Sequence, residues 1–347
     1  MRILAVLTVR NEAAFLLEWL AHHRAVGVTD FLVFSNNCQD GTDKMLDHLA
    51  KVGWLTHIRN NGPYDKRGIQ FTALKSAEKQ PRVKSADWIL PLDVDEFVNV
   101  HVGDHTLPAL LDALPDADAI TLTWRLFGND GQIEYRDVPV TEAFTKAAPV
   151  ELHWPWRASM FKTLYRNAGN YAKLGVHRPR QPKEGADIRW FDGSGRALGA
   201  QFRNKRIFSD FGQDNYGLVQ LNHYPLGAME SYIVKSDRGR AVHDADKLGM
   251  DYWVERNFCQ AEDTTIQRMF PARRAILEDL MDDPAIKVSH KKAVAWRHYR
   301  FQELMLDESN RALFGRLLLT PPSHSISREK AEIIRAHRMR ELTPRQP

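Results

Sequence analysis

The feature that most constrains this chain is the regular exchange of strand-length apolar runs with helix-like segments over its first 93 residues. RILAVLTV (2–9), TDFLVFSN (29–36), WLTHIR (54–59) and residues 86–93 have strand length and composition. Between them lie NEAAFLLEWLAHHRAVG, with Leu16, Trp19, Leu20 and Ala21 at helical spacing, then DGTDKMLDHLAKVG (40–53) and a third helical stretch at 66–79. Gly27 and Gly53 suit the ends of the first two helices. Strands separated by helices of this length predict βαβ units and an α/β fold with a mostly parallel, doubly wound, Rossmann-like sheet. Ligands of such sheets bind at the carboxyl ends of the strands. Polar residues gather there: Thr8 to Glu12, Ser35 to Asn37, and Asp93 to Glu96.

The fourth strand carries the most chemistry. In ADWILPLDVDEFVNV (86–100) an apolar run ends in Asp93-Val94-Asp95-Glu96. Carboxylates at i and i+2 of a strand share a face. Acids packed against an apolar strand repel and are costly to desolvate, and a divalent cation with oxygen ligands relieves both. The expectation is a metal site with a phosphate-bearing ligand sharing the metal. The plain alternative is a strand that ends in water.

Past residue 118 the pattern loosens. HWPWRASMFKTLYR (153–166), YAKLGVHRP (171–179) and GLVQLNHYPL (217–226) hold further β-like runs, 180–215 reads as a loop or insertion, and from 228 the chain turns helical and charged. Ser327 is a plausible N-cap for a last surface helix.

Composition removes several classes. With 48 basic and 44 acidic residues the net charge of +4 is too mild for a nucleic-acid binder. Cys38 and Cys259 stand far apart, which excludes a disulfide framework and a thiolate zinc site and suits a reducing cytoplasm. No signal peptide is visible, and no apolar run reaches the roughly 18–20 residues of a membrane span. A cytoplasmic protein is expected, with peripheral association with a membrane's inner face left open by the scattered arginines of 328–345.

Four blocks, in order, resemble glycosyltransferases of the GT-A fold, close to family 2 and to relatives with a D-x-D-E-F signature. They are TVRNEAAFLLEWLAHHRAVGVTDFLVFSNNCQDGT, DWILPLDVDEF, NHYPLGAMESYIVKSDRGR and WVERNFCQAEDTTIQRM, and they span about residues 1–270. The resemblance implies a GT-A catalytic domain over 1–235, with a nucleotide-binding half (1–120) and an acceptor half (121–235). Residues 236–347 would be a helical extension completing the site.

It also implies a metal-dependent, inverting transfer from a nucleotide sugar, a UDP-sugar by preference, to a glycan or glycolipid, with Mn²⁺ or Mg²⁺. In that reading Asp95 contacts the metal, and Asp93 contacts the ribose or the metal's water. His223 is a third metal contact, or else a core histidine. Thr8, Arg10, Asn11 and Glu12 hold base and ribose, although Asn11 and Glu12 also suit a helix start. Asp40 reaches the base or caps the DGT helix. Lys235, Arg238 and Arg240 close over the diphosphate or form a solvated helix face. Asp263 is the general base with Glu262 its neighbour and rival, unless the pair caps the next helix. Trp124 and His177 are acceptor-side contacts, whereas His22 and His23 are packing or surface residues. The rivals are a sugar-nucleotide nucleotidyltransferase, which would carry a Gly-rich loop that TVRNEAAF lacks, and a binding protein without catalysis.

Overall fold

The structure is a computed structural model that describes residues 1–64, 66–237 and 248–342. Its first half follows the predicted alternation: β1 (Ile3–Val9), α1 (Ala13–Ala25), β2 (Asp30–Ser35), α2 (Thr42–Lys51), β3 (Thr56–Arg59), α3 (Ile69–Ala77), α4 (Pro81–Ser85) and β4 (Trp88–Leu92). β1 pairs in parallel with β2 and β4, and β2 with β3, giving the parallel order β3-β2-β1-β4. β1, β2 and β4 are nearly continuous buried runs because both their faces are covered, whereas the edge strand β3 is only partly buried. Odd residues of β1 (Ile3, Ala5, Leu7, Val9) join one core with α1 and α2, while Leu4 and Val6 join another with α3. Gly27 and Gly53 follow α1 and α2 with φ of 101° and 85°, the left-handed geometry that ends a helix cheaply only at glycine.

The DVDE segment is where the local expectation changes. Asp93 and Asp95 are not on a strand. They lie in a tight turn, closed by Glu96 N–H donating to the Asp93 carbonyl at 3.1 Å, and Glu96 opens a separate strand, β5 (Glu96–Val100). Their carboxylates are therefore free to take different partners.

After α5 (Leu107–Ala113) and β6 (Ala119–Leu126), the strand Phe161–Arg166 inserts antiparallel between β4 and β6. Strand Val219–His223 pairs antiparallel with β5 and parallel with β6. Residues 180–215 are not a plain loop. Trp190–Phe191 and Ala197–Leu198 extend the sheet edge beyond β6, because Trp190 and Phe202 are fully buried in the α3-side core. Helices follow from Met229, as expected, and Leu280, Ile286 and Ala293 of the helices Phe270–Asp282 and Pro284–Leu304 enter the core beside α1. Helix Arg328–Leu342 starts just after Ser327, whose Oγ accepts from Lys330 N–H. Among the described residues no helix is long and apolar enough to cross a membrane.

His22 and His23 on α1 are wholly buried between Trp19 and Phe97. His22 Nε2 lies 2.7 Å from the Val98 carbonyl, and Val98 N–H donates to His23 Nε2. Burial pushes His22 down to about 4, and burial with its neighbour His22 holds His23 well below the ordinary imidazole value. A neutral folded imidazole stabilises fully above the unfolded value near 6.5 and loses that contribution as pH falls towards 4. His22→Gln keeps a donor for Val98 and removes the titration. Wild type is therefore expected to lose about 2 kcal/mol relative to His22→Gln between pH 7 and pH 5, measured by denaturant unfolding at each pH.

Candidate active site

A cleft of about 600 Å³ opens at the carboxyl ends of the parallel strands. It gathers Thr8 of β1, Arg10 and Glu12 after it, Asn36 after β2, Gln70 and Phe71 of α3, and Asp93 and Asp95 of the acidic turn. Trp124, Arg157, His177 and His223 form the opposite wall, with Lys235, Tyr252 and Arg256 above. Nine positions given roles in the sequence thus share one space: Thr8, Arg10, Glu12, Asp93, Asp95, Trp124, His177, His223 and Lys235.

The acidic turn is held from below by α1. The buried Trp19 indole N–H lies 3.1 Å from the Asp93 carbonyl and 3.0 Å from that of Glu96. Its three carboxylates then take different partners. Asp93 accepts from Gln70 Nε2 at 2.9 Å and from Lys162 Nζ at 2.8 Å. Asp95 Oδ2 accepts from Lys235 Nζ at 2.7 Å and lies 3.7 Å from His223 Nε2. Glu96 is fully buried, 3.5 Å from Lys162 Nζ, and accepts from the Asp93 N–H and the Trp124 indole.

Burial alone would raise the Asp95 carboxyl. Lys235 and His223 outweigh it and keep Asp95 well below the usual carboxylate range. Burial raises the Glu96 carboxyl, with Asp93 and Asp95 adding to the rise, while Lys162 and the Asp93 N–H favour its charged form. Lys162 keeps its charge because Asp93 and Glu96 overcome its desolvation. His177 is pushed down to about 4 by burial and then by Lys162, so it is a neutral ring at neutral pH.

These contacts test the expected cation. Among the described residues no three His, Cys, Asp or Glu side chains form a metal-holding group. Asp93 already accepts one bond at each oxygen, from Gln70 Nε2 and from Lys162 Nζ. Asp95 and His223 do converge, and His223 Nδ1 is buried without a hydrogen-bond partner. One carboxylate and one imidazole fit Mn²⁺ or Mg²⁺ when phosphate oxygens complete the shell.

Other expectations move. Asp40 does not line the cleft. Its carboxylate accepts from Ala13 N–H at 3.0 Å and from Thr42 N–H at 2.8 Å, tying the start of α1 to the DGT turn. Asn11 is not the cap of α1: it has φ of 56° and accepts from Gln39 N–H, while Glu12 occupies the cap position. Lys235 faces Asp95 and the Pro225 carbonyl rather than solvent. Arg238 and Arg240 lie outside the described residues.

The expected base is also elsewhere. Asp263 accepts from Thr265 N–H at 3.1 Å and from Gln220 Nε2 at 2.9 Å, with Arg125 3.9 Å away. Gln220 and His223 differ by an odd number of residues on one strand, as do Arg125 and Trp124 on β6, so Asp263 sits on the face turned away from the cleft. Burial would raise its carboxyl, and the bonds from Thr265 and Gln220 bring it below the ordinary value. Glu262 is exposed and pairs with Lys146.

Lys162 was missed in the sequence, as were Gln70, Arg157, Tyr252 and Arg256. For Lys162 a signal existed: a lysine inside the otherwise buried strand FKTLYR has to face a carboxylate.

The fold thus sets an acidic turn and a basic side chain over one cleft at the carboxyl ends of an α/β sheet. Residues 5–189 match the profile of glycosyltransferase family 92, more than half of the chain, and the protein belongs to that family. A family 92 protein of Oryza sativa subsp. japonica is 28% identical over 246 residues, covering 69% of this chain and 35% of the rice protein. One from Ricinus communis is 30% identical over 179 residues, 47% of this chain and 30% of its own length. The chain therefore spans about a third or less of these relatives. Crystal structures of S. aureus TarS (16% identical, 52% of this chain and 31% of that one, TM-score 0.31) also overlap with it. So does M. tuberculosis glucosyl-3-phosphoglycerate synthase with Mg²⁺ and UDP (17%, 35% and 43%, TM-score 0.26).

Two outcomes follow from the geometry. Lys162→Met leaves Asp93 and Glu96 without their buried cation and should cost about 3–5 kcal/mol in denaturant unfolding. Asp263→Asn turns an amide N–H₂ towards Gln220 and should cost about 1–3 kcal/mol while leaving nucleotide affinity unchanged, read by unfolding and calorimetry together.

Proposed function

We propose that this cleft moves a glycosyl group from a nucleotide sugar to an acceptor hydroxyl, with a nucleoside diphosphate as leaving group. The observation that carries the reading is the convergence of Thr8, Arg10, Glu12, Asp93, Asp95, His223 and Lys235 on one cleft in a member of a glycosyltransferase family. The donor is a UDP-sugar and the transfer inverts, as the resemblance to D-x-D-E-F enzymes implies. The acceptor is a glycan or glycolipid.

Each residue has a definite task in that scheme. Thr8, Arg10 and Asn36, at the ends of β1 and β2, face the nucleoside. Asp93, fixed by Gln70 and Lys162, accepts from ribose or sugar hydroxyls with an oriented carboxylate. Asp95 and His223 would hold Mn²⁺ or Mg²⁺, which when bound neutralises charge on the diphosphate. Lys235, on the helix Met229–Asp237 and within reach of Asp95, adds a second positive charge for the leaving group. Trp124 offers a ring to the apolar face of the acceptor sugar, next to His177. A base for the acceptor hydroxyl has to reach this space. Glu12 and Asp93 are carboxylates on the cleft wall, whereas Asp263 and Glu262 are not.

Calorimetric titration of UDP with Mn²⁺ and again with EDTA tests the scheme. Metal-dependent binding is expected in wild type, with a loss of at least about tenfold in Asp95→Ala at unchanged thermal stability. Equal affinity in Asp95→Ala would remove the metal assignment. No binding of UDP, GDP, CMP or dTDP in either condition would remove the nucleotide-sugar reading.

A further inference from the structure

A histidine that binds a metal is normally oriented by a hydrogen bond at its other ring nitrogen. His223 has none: Nε2 faces Asp95, and Nδ1 is buried with no partner. What touches the ring is Trp124, with centroids 4.3 Å apart and planes at 41°. Trp124 is in turn fixed by Glu96, whose Oε1 accepts from the indole N–H at 2.6 Å. The other oxygen of Glu96 accepts from the Asp93 N–H at 2.8 Å. A chain of contacts therefore runs from Asp93 through Glu96, Trp124 and His223 to Asp95, and it closes on the turn that carries both aspartates.

The carboxylate is an expensive way to fill this space. Glu96 is 0% exposed, and an apolar side chain would avoid the desolvation it suffers. Its two oxygens match two fixed N–H donors that would otherwise be buried unpaired, those of Trp124 and of Asp93. Without the indole bond, Trp124 can turn about its side-chain torsions, and the His223 ring loses the surface that sets its plane.

We propose that Glu96 is a positioning residue which, through the Trp124 indole, sets the plane of the His223 ring opposite Asp95. This rests on reading Asp95 and His223 as the ligand pair. It goes further in assigning the orientation of that pair to the side chain of Glu96, whose backbone adjoins Asp95 and pairs with His223 but whose carboxylate bonds to neither ligand side chain.

The test uses the full chain labelled with ¹⁵N-histidine and ¹⁵N-tryptophan, without metal. The His223 ring and Trp124 indole signals are assigned with His223→Gln and Trp124→Phe. Glu96→Gln keeps the shape but has a single acceptor oxygen, so one of the two N–H donors loses its partner. The expected result is an upfield shift of the Trp124 indole proton together with displaced His223 ring signals. Affinity for UDP with Mn²⁺ should fall about tenfold in Glu96→Gln, and by less than about threefold when the same change is made in Trp124→Phe. Unmoved His223 signals in Glu96→Gln, or the same loss in both backgrounds, overturn the proposal. If Glu96→Gln does not fold, Trp124→Phe alone decides, since it removes the N–H and leaves Glu96 in place. Undisturbed His223 signals there also overturn the proposal. A wild type that does not bind UDP with Mn²⁺ counts against the cleft's reading, and the ring signals still judge Glu96.

Discussion

Three carboxylates crowd one tight turn, and the architecture around them can be understood as the means of keeping them there. Asp93, Asp95 and Glu96 would repel one another and resist burial if left to themselves. Two lysines from distant parts of the chain resolve this, Lys162 at Asp93 and Glu96, and Lys235 at Asp95. Each lysine arrives on a different element: Lys162 on the antiparallel strand beside β4, and Lys235 on the helix after the His223 strand. The insertion of Phe161–Arg166 between β4 and β6 is therefore electrostatic as well as topological. Trp19 completes the arrangement from α1 by binding the carbonyls of the turn itself.

The division of labour inside the turn follows. Asp93 accepts from two fixed donors, Gln70 and Lys162. Asp95 has other company: a lysine at 2.7 Å and an imidazole at 3.7 Å. A two-residue D-x-D reads as a matched pair in the sequence, yet its members experience different fields. One sits against a buried cation that does not titrate near neutrality. The other lines the same cleft between a lysine and an imidazole.

Much of this was legible beforehand because it is local. The β/α alternation, the glycine stops at Gly27 and Gly53, and the polar strand ends all depend on neighbours in sequence. Through-space pairing is not local. Lys162 stands 66 or more residues from the acids it neutralises, and nothing in FKTLYR says which carboxylate it meets. Asp263 shows the converse problem. It follows a plausible motif, but the two-residue period of the adjoining strand turns it away from the cleft, and that parity is visible only once the strand is paired with β5 and β6. Residues 180–215 were opaque because short strands at a sheet edge leave little periodic signal. Their burial comes from single large residues, Trp190 and Phe202.

The loops after β1 and β2 are joined in a way that bears on how the site can change over time. The Thr42 hydroxyl receives the Glu12 and Ala13 N–H groups, and Asp40 receives Ala13 as well. The start of α1 is thus completed by side chains of the next loop instead of by its own residues. These two segments cannot drift independently: a substitution at Thr42 alters the backbone on which Arg10 and Glu12 are displayed, without touching any ligand. The display of Arg10 and Glu12 in the cleft can therefore be retuned from a position that looks, by its contacts, purely structural.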